Sequence, residues 1–483
     1  MIIRPNLLPA PNVKVLINIG ATFDIPTGTF LECSHGEYVL NGGLGTATAV
    51  VGKGNSFKST LMHYGVICAS ARISESPGIE EAGDTNIGTY DTEVNVHENR
   101  LVQLMQRFPI YAKTNLLENG KWVVTDKTVY SGNKWHEQIK DYLNLKVANA
   151  KKLELPTPFW DRNRQLLKII VPSFGELDSL TEFQTDDVLK VIDENELGDS
   201  GGNTMFMREG LAKAKFLREI PNLSSRAYHY ISMTAHIGKD IVMASGPMNA
   251  PPPKKLQHLK NGDTIKGATD KFTFLMSNCW HAYNASPLTN QGTKGPEYPR
   301  NPEDNNPGDT DLNVVLVRQL RSKSGQSGIV LEIVVSQSEG VLPELTEFHY
   351  IKNQDRFGIS GTMQHYNLDV YPDLKLSRTT VRSKIDNDPL LRRAMNITSE
   401  LCQMHQLWHH MDDGILCTPK ELYTDLKALG YDWDKDLLTT RGWWCLNNDK
   451  HPVPFLSTMD LLRIRKGLYK PYWLTDEQRS RIK

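Results

Sequence analysis

The sequence predicts an α/β fold, with a mostly parallel central sheet over residues 39–355 and a smaller, mostly helical C-terminal domain over 356–483. Three observations predict it. Apolar strand-like runs alternate with helix-patterned runs from about residue 40 to about residue 340. A glycine-rich turn joins one of these strands directly to a helix. Beyond about residue 360 the pattern changes to helical spacing with many aromatic residues.

Residues 1–38 are a short N-terminal segment. In it 13–19 (VKVLINI) reads as a strand available for self-association, and DIPTG at 24–28 as a turn. GGLG at 42–45 is a second turn and 47–51 (ATAVV) a strand. GKGNSFKS at 52–59 then leads into STLMHYGVICASARI, where small and apolar residues recur at helical spacing. SESPGIEEAGDTN at 74–86 breaks that pattern, and IGTYDTE at 87–93 is a strand ending in acids. A helix is expected around 134–148. LLKIIV at 166–171 is a buried strand followed by PSFGELDSL, and 193–204 is a polar, glycine-rich loop. A helix over 205–219 and a strand over 228–235 follow. Residues 237–271 are rich in Gly, Pro and Lys. KFTFLM and LNVVLVRQL read as strands separated by a loop at 286–310, and GIVLEIVV at 328–335 is the last strong strand. No fixed-period repeat is present.

Composition narrows the function classes. Apolar residues make up 39% and charged residues 23% of the 483, which suits a globular protein with a sizeable core. The formal net charge of −1 excludes a globally basic nucleic-acid binder, so any grip on phosphate backbone must come from local patches. The six cysteines are scattered with no C-x-x-C pair, which argues against a disulfide framework and fits a reducing compartment. No apolar run approaches the ~18 residues that span a bilayer. A cytoplasmic protein without a membrane partner is expected.

GKGNSFKS resembles the phosphate-binding pattern G-x-x-x-x-G-K-[ST], with Phe57 in place of the second glycine. The alternative is a plain glycine turn. Strand, glycine loop and helix occur in the order a phosphate loop requires. Gly52 and Gly54 let backbone N–H groups turn inward, and the helix N-terminus adds partial positive charge. The expected cradle is Gly52, Lys53, Gly54, Asn55, Ser56, Phe57, Lys58, Ser59 and Thr60. Lys58 reaches the β- and γ-phosphates of ATP, and Ser59 ligates Mg²⁺. A non-glycine at position 57 implies an ordinary φ there.

Ligands of an open parallel sheet sit at the carboxyl ends of its strands. Asp91, Glu93 and Asp178 fall at such ends. A nucleotide hydrolase needs one acid to orient Mg²⁺, here Asp178, and another to activate water. Glu93 is the candidate base, and Glu176 competes with it. His236, at the end of SMTAH, is a candidate γ-phosphate sensor. The plainer readings are helix-capping acids and a solvent-facing histidine.

In order, these pieces resemble the core of RecA-family recombinases, most closely the T-even phage type, which also carries S-F-K-S in its phosphate loop. NGGLGTATAVVG at 41–52, YDTE at 90–93, ELDSL at 176–180, LGDSGGNTMFMREGLAKAKFLREI, MTAHIG and KGATDKF at 266–272 carry the resemblance. It implies a RecA-like P-loop ATPase core with Glu93, Lys58 and His236 as catalytic residues. It also implies Mg²⁺ held through Ser59 and Asp178, and a first DNA-binding loop before the 205–219 helix. Further implications are single-stranded DNA as partner, self-association into a filament or ring, phage replication or recombination proteins as partners, and the cytoplasm of an infected host cell as location. Arg318, Arg321 and Lys323 are candidates to complete a neighbouring subunit's nucleotide site. The stretch between Glu93 and Asp178 departs from bacterial members by an insertion near 108–140.

GPMNAPPPKKLQHLKNGDTIKGATDK would be the second DNA-binding loop, with Lys254, Lys255, Lys260 and Lys266 as phosphate contacts. LLRIRKGLYKPYWL at 461–474 interleaves Arg463 and Arg465 with Tyr469 and Trp473, either to hold single strands or as a basic surface on an aromatic minicore. TPKELYTDLKALGYDW suggests a helix of winged-helix type. The expected activity is DNA-dependent ATP hydrolysis coupled to homologous strand exchange. A hexameric replicative helicase and a non-hydrolysing RecA-like regulator are the alternatives.

Overall fold

A computed structural model describes residues 13–161, 163–186, 202–239, 257–260, 262–268, 272–362, 364–408, 411 and 414–482, the side chains of 202–207 excepted. Helix α1 (Ala21–Thr27) occupies the expected DIPTG turn and carries Pro26 inside it. The hairpin β1 (Thr29–Glu32) and β2 (Tyr38–Asn41) follows. Of the strand expected at 13–19, only an isolated Ile17–Leu44 bridge forms. Next come β3 (Ala47–Gly52), α2 (Lys58–Ser74), β4 (Ile87–Asp91), α3 (Glu98–Met105), β5 (Trp122–Asp126) and α4 (Gly132–Ala148). The short α5 (Ala150–Leu153), the hairpin β6 (Glu154–Trp160) and β7 (Leu166–Ile170), and β8 (Ser173–Asp178) lead to the 26-residue α6 (Gly202–Ala227) and β9 (His229–Lys239).

After β10 (Asp263–Ile265) and α7 (Phe272–Leu275), the chain forms β11 (Asn278–Pro287), β12 (Leu312–Ser322), β13 (Val330–Ser336) and β14 (Gly340–Val341). KFTFLM, expected as a strand, is mostly the helix α7. NCWHAYNASP, with few β-branched residues, is the strand. Its pairing with the fully buried β3 overrides its weak β-propensity.

The main sheet runs β14-β13-β12-β11-β3-β9-β8-β4-β5, with β10 beside β9. Strands β5, β4, β8, β9, β3 and β11 are mutually parallel. Strands β11 to β14 pair antiparallel in succession, and the links β12–β13 (323–329) and β13–β14 (337–339) are too short for a crossover. The sheet is therefore mixed and mostly parallel. Helices cover both faces, which is why β3 is buried at all six positions. Val50 joins the core under α2 and α3, while Ala47, Ala49 and Val51 join the core under α4, α6 and α7. Among the described residues no helix is long and apolar enough to cross a membrane.

Helix α8 (Pro343–Asn353), the antiparallel sheet β15 (Ile359–Gly361), β16 (Tyr366–Leu368) and β17 (Tyr371–Leu376), and helices α9 (Val381–Asn387), α10 (Pro389–Leu407), α11 (Pro419–Ala428), α12 (Thr458–Arg465) and α13 (Asp476–Arg481) complete the chain. Residues 443–447 reach back onto α2. Trp444 Nε1 donates to Leu16 O (3.2 Å), Leu446 N donates to Ser76 Oγ (3.0 Å), and Arg72 lies over the Trp443 ring (4.8 Å) while pairing with Asp24 (3.6 Å).

One buried cation on α4 ties that helix to the sheet. Lys146 is 7% exposed, and its Nζ donates to Val171 O and Ser173 Oγ, both at 2.8 Å. The Ser173 hydroxyl also bonds His229 Nδ1 (2.9 Å). Burial without a carboxylate partner pushes the Lys146 ammonium down to about 7. An unfolded chain keeps its lysines near ~10.4 and so binds one more proton between the two values. Stability contributed by this site therefore rises with pH across the window from about 7 to ~10.4, by at most ~1.4 kcal/mol per pH unit. Urea denaturation at pH 7 and pH 9.5 is expected to show that gain in the native chain and not in Lys146→Met. Equal pH dependence in both would show that Lys146 titrates normally.

Candidate functional site

The parallel register brings the strand ends to one edge. Gly52 is level with His236 on one side and Ala282 on the other, and Asp91 is level with Asp178. The loop after β3 folds on itself, with Ser56 Oγ and Lys58 Nζ donating to Lys53 O at 2.8 and 2.7 Å. Lys58 opens α2 and is 8% exposed. Burial lowers its pKa, and the carboxylates of Asp178 and Glu93 oppose that fall. Ser59 and Thr60 follow in the first turn, where helix N–H groups and hydroxyls favour an anion.

Phe57 corrects one expectation. Its φ of 61° and ψ of 23° are left-handed, not ordinary, and Asn55 has a φ of 56°. A left-handed residue at the helix N-cap reverses the chain so that α2 starts facing the loop. The strain, about 1–2 kcal/mol for an L-residue, is offset by packing of the ring against the core. The two glycines also differ. A Cβ at Gly52 would fall 2.5 Å from Ala282 O, whereas one at Gly54 would meet nothing within 4 Å. Only Gly52 is demanded by close approach.

The D-T-E turn is built by its aspartate. Asp91 accepts from the backbone N–H groups of Glu93 (2.9 Å), Asn95 (2.6 Å) and Val96 (2.7 Å). Thr92 welds this turn to the end of β8. Its N–H donates to Asp178 O (2.7 Å), and its hydroxyl donates to Ser179 O (2.9 Å) and accepts from Ser179 N (2.6 Å). Glu93 Oε1 then accepts from Ser179 Oγ (2.8 Å) and lies 3.0 Å from His236 Nε2. Burial pushes the Glu93 carboxyl up, but hydrogen bonds from His236 and Ser179, with the charges of His236 and Lys58, outweigh it and hold it below the usual carboxylate range. An ionised Glu93 only accepts, so His236 Nε2–H donates to it. Asp178, 8% exposed, accepts at Oδ1 from the Thr234 hydroxyl.

Glu176 lies elsewhere. It is fully buried, with His63 Nδ1 at 3.0 and 3.1 Å from its two oxygens and Thr89 Oγ1 donating at 2.7 Å. Burial lowers the His63 pKa, and the Glu176 carboxylate more than reverses that, so the net shift is upward. The pair sits two residues below Asp178 and Asp91, away from the edge that Glu93 reaches.

Lys254 and Lys255 lie outside the described residues, as does the glycine-rich loop up to residue 201. Lys260 and Lys266 are exposed. Lys266 is committed to the β9–β10 hairpin, where its Nζ donates to Lys239 O (3.3 Å) and its side chain lies across Gly238. At the C-terminus Arg463 donates to Gly36 O (2.6 Å) and stacks on Tyr38 (4.0 Å), while Arg465 pairs with Asp425 (2.6 Å). These two arginines hold the fold together rather than forming a free basic face.

Among the described residues no group of three or more His, Cys, Asp and Glu side chains forms a metal-binding set. The Ser59 hydroxyl and the Asp178 carboxylate are hard oxygen donors of the kind that hold Mg²⁺ delivered with phosphates, and they fit that ion in this role. The motifs included Ser179 but gave no role to Thr234, whose signal is a hydroxyl residue within an apolar strand, which also fits a plain core position. No protein-family model matches the chain, and no curated protein matches it in sequence.

Phe57→Gly is expected to be about 1 kcal/mol more stable than Phe57→Ala, because both lose the ring but only alanine keeps the left-handed strain. Urea denaturation of the two variants reads this difference. An ordinary φ would reverse the order, since glycine there costs ~0.5–1 kcal/mol relative to alanine.

Proposed function

We propose that this chain is a RecA-like, Mg²⁺-dependent ATPase that assembles on single-stranded DNA and promotes homologous strand exchange. The observation that carries the reading is the meeting of a glycine loop, Lys58, Asp178 and the Glu93–Ser179–His236 cluster at one carboxyl edge of a parallel sheet.

The loop N–H groups and the N-terminus of α2 hold the triphosphate. Lys58 exchanges Lys53 O for phosphate oxygens. Ser59 and Asp178 hold Mg²⁺, which neutralises phosphate charge when bound. Glu93, kept ionised by Ser179 and His236, accepts the proton of the attacking water. The hydrogen bond between His236 and Glu93 makes the histidine a partner of the base, beyond its expected role as γ-phosphate sensor.

Self-association has support at the opposite edge. Ser322 ends β12 level with Asn278, the first residue of β11. Beside it, burial and the charges of Lys14 and Arg321 lower the pKa of Lys323. An acid-and-loop edge on one side and a cationic edge on the other suit head-to-tail assembly. Arg318 is placed differently, over Tyr283 (4.9 Å) with its guanidinium donating to His258 O (3.2 Å).

Glu93→Gln is expected to bind ATP normally and to lose at least ~10²-fold in turnover, and Lys58→Ala to lose a similar factor. ATPase assays with and without single-stranded DNA measure both, and normal hydrolysis in either variant overturns the site. Negative-stain images with ATP and single strands are expected to show extended filaments. Closed rings would point to a helicase, and a wild-type chain without turnover to a regulatory binder.

A further inference from the structure

Glu347 on α8 and Glu400 on α10 are 3% and 5% exposed. One amide joins them: Asn396 Nδ2 lies 3.5 Å from Glu347 Oε1 and 3.5 Å from Glu400 Oε1. Glu347 Oε1 also accepts from the backbone N–H of Ala21, the first residue of α1 (3.2 Å), while its Oε2 is buried without a partner. Helix α1 packs on both α8 and α10. The two carboxyls thus lie where three helices meet.

The cations nearby are directed elsewhere. Arg393 on α10 donates to Asn396 Oδ1 (2.5 Å) and to Leu456 O, and Arg72 on α2 pairs with Asp24. Among the described residues neither glutamate forms an ion pair. Two buried carboxyls that share one amide and pair with no cation cannot both ionise, because each charge would be desolvated and would repel the other. The pair therefore holds a proton and titrates as a unit. Burial pushes Glu347 well above the usual carboxylate range, with the charges of Glu344 and Glu400 adding to it and bonds from Ala21 and Asn396 opposing. Burial also raises Glu400, against Arg393, the Thr458 hydroxyl, Arg72 and Asn396. Asp24 on α1 is the third acid facing the junction. It accepts from Ile19 N (2.7 Å) and Gly20 N (3.0 Å), and burial still pushes it up to about 7 against Arg72 and those two bonds.

We propose that the Glu347–Asn396–Glu400 junction is a proton-operated latch, which holds α1 against α8 and α10 while it keeps its proton and releases α1 when the proton is lost. The latch is independent of the proposed ATPase activity. Ionising the second carboxyl places an uncompensated charge under α1, and water reaches that charge only when α1 lifts. A glutamate exposed to water loses its proton near ~4.3, whereas the closed pair keeps one to higher pH. The closed form therefore has its full advantage below ~4.3 and loses it as pH rises through the raised value of the pair. Lys146 contributes with the opposite sign, because its folded pKa is lowered.

The test is amide hydrogen exchange of the full chain between about pH 5 and about pH 8, with the native protein, Glu347→Gln and the double variant Glu347→Gln/Glu400→Gln. Glutamine keeps the shape and the acceptor for Ala21 N, and it cannot ionise. The ratio of native to variant exchange rate cancels base catalysis, and it cancels Asp24 and Lys146, which all three proteins retain. For amides of α1 and α8 this ratio should rise with pH, by up to ~10-fold per unit, and level off once the pair has lost its proton. For amides of β3 it should stay within ~2-fold of its starting value, because a local opening leaves the central sheet closed. A ratio at α1 that is flat across the range with both variants overturns the proposal. An equal rise at β3 also overturns it, because the proton then acts on global stability and not on a latch. Should neither variant fold, the protection of α1 relative to β3 in the native chain decides, and no fall with pH overturns the proposal.

Discussion

The parallel register of β3, β4, β8 and β9 is the constraint on which the site depends. Each strand ends in a group of different chemistry, and only their alignment at one level makes those groups neighbours. A slip of one residue in β8 would put Leu177 where Asp178 stands. The His63–Glu176 pair guards against that slip two residues lower. It spans α2 and β8, and Thr89 on β4 and Trp122 on β5 extend it, with Trp122 Nε1 donating to Thr89 Oγ1 at 2.9 Å. Any register that separates the two leaves a buried charge unpaired, at ~3–5 kcal/mol. The register is therefore specified by electrostatics as well as by the apolar pattern.

Above that pair the edge brings Lys58 together with the carboxylates of Asp178 and Glu93. Burial lowers the Lys58 pKa and pushes the Glu93 carboxyl up, and the opposite charges, with the hydrogen bonds to Glu93, resist both shifts. The loop meanwhile stores strain at two left-handed residues, Asn55 and Phe57. Glu93 is thus hydrogen-bonded to Ser179 and His236, and the loop beside it is held by left-handed turns.

The C-terminal residues take part in the same construction. The Trp443–Asn447 stretch packs on the end of α2, and Arg72 of that helix is shared between Asp24 and Trp443. The helix that begins at the glycine loop is thus held at its far end by the N-terminal segment and by the last third of the chain. Rigidity at that end keeps Lys58 and Ser59 level with the strand ends opposite.

The sequence by itself determined the strand–loop–helix order at 47–74, the acids at strand ends, and the long helix before β9. Each is written in local periodicity and turn chemistry, which depend only on neighbours along the chain. It misassigned KFTFLM and the 13–19 segment and left NCWHAYNASP unassigned, because burial between strands decides such weakly patterned stretches. It left Glu93 and Glu176 as rivals, since both are acids near strand ends. Tertiary structure placed one beside Ser179 and His236 at the edge and buried the other against His63. The left-handed Phe57 and the Thr92 weld were equally invisible to the sequence. Each is a contact between residues far apart in the chain, or a backbone angle imposed by such contacts, and no local pattern encodes the distance between segments that meet only on folding.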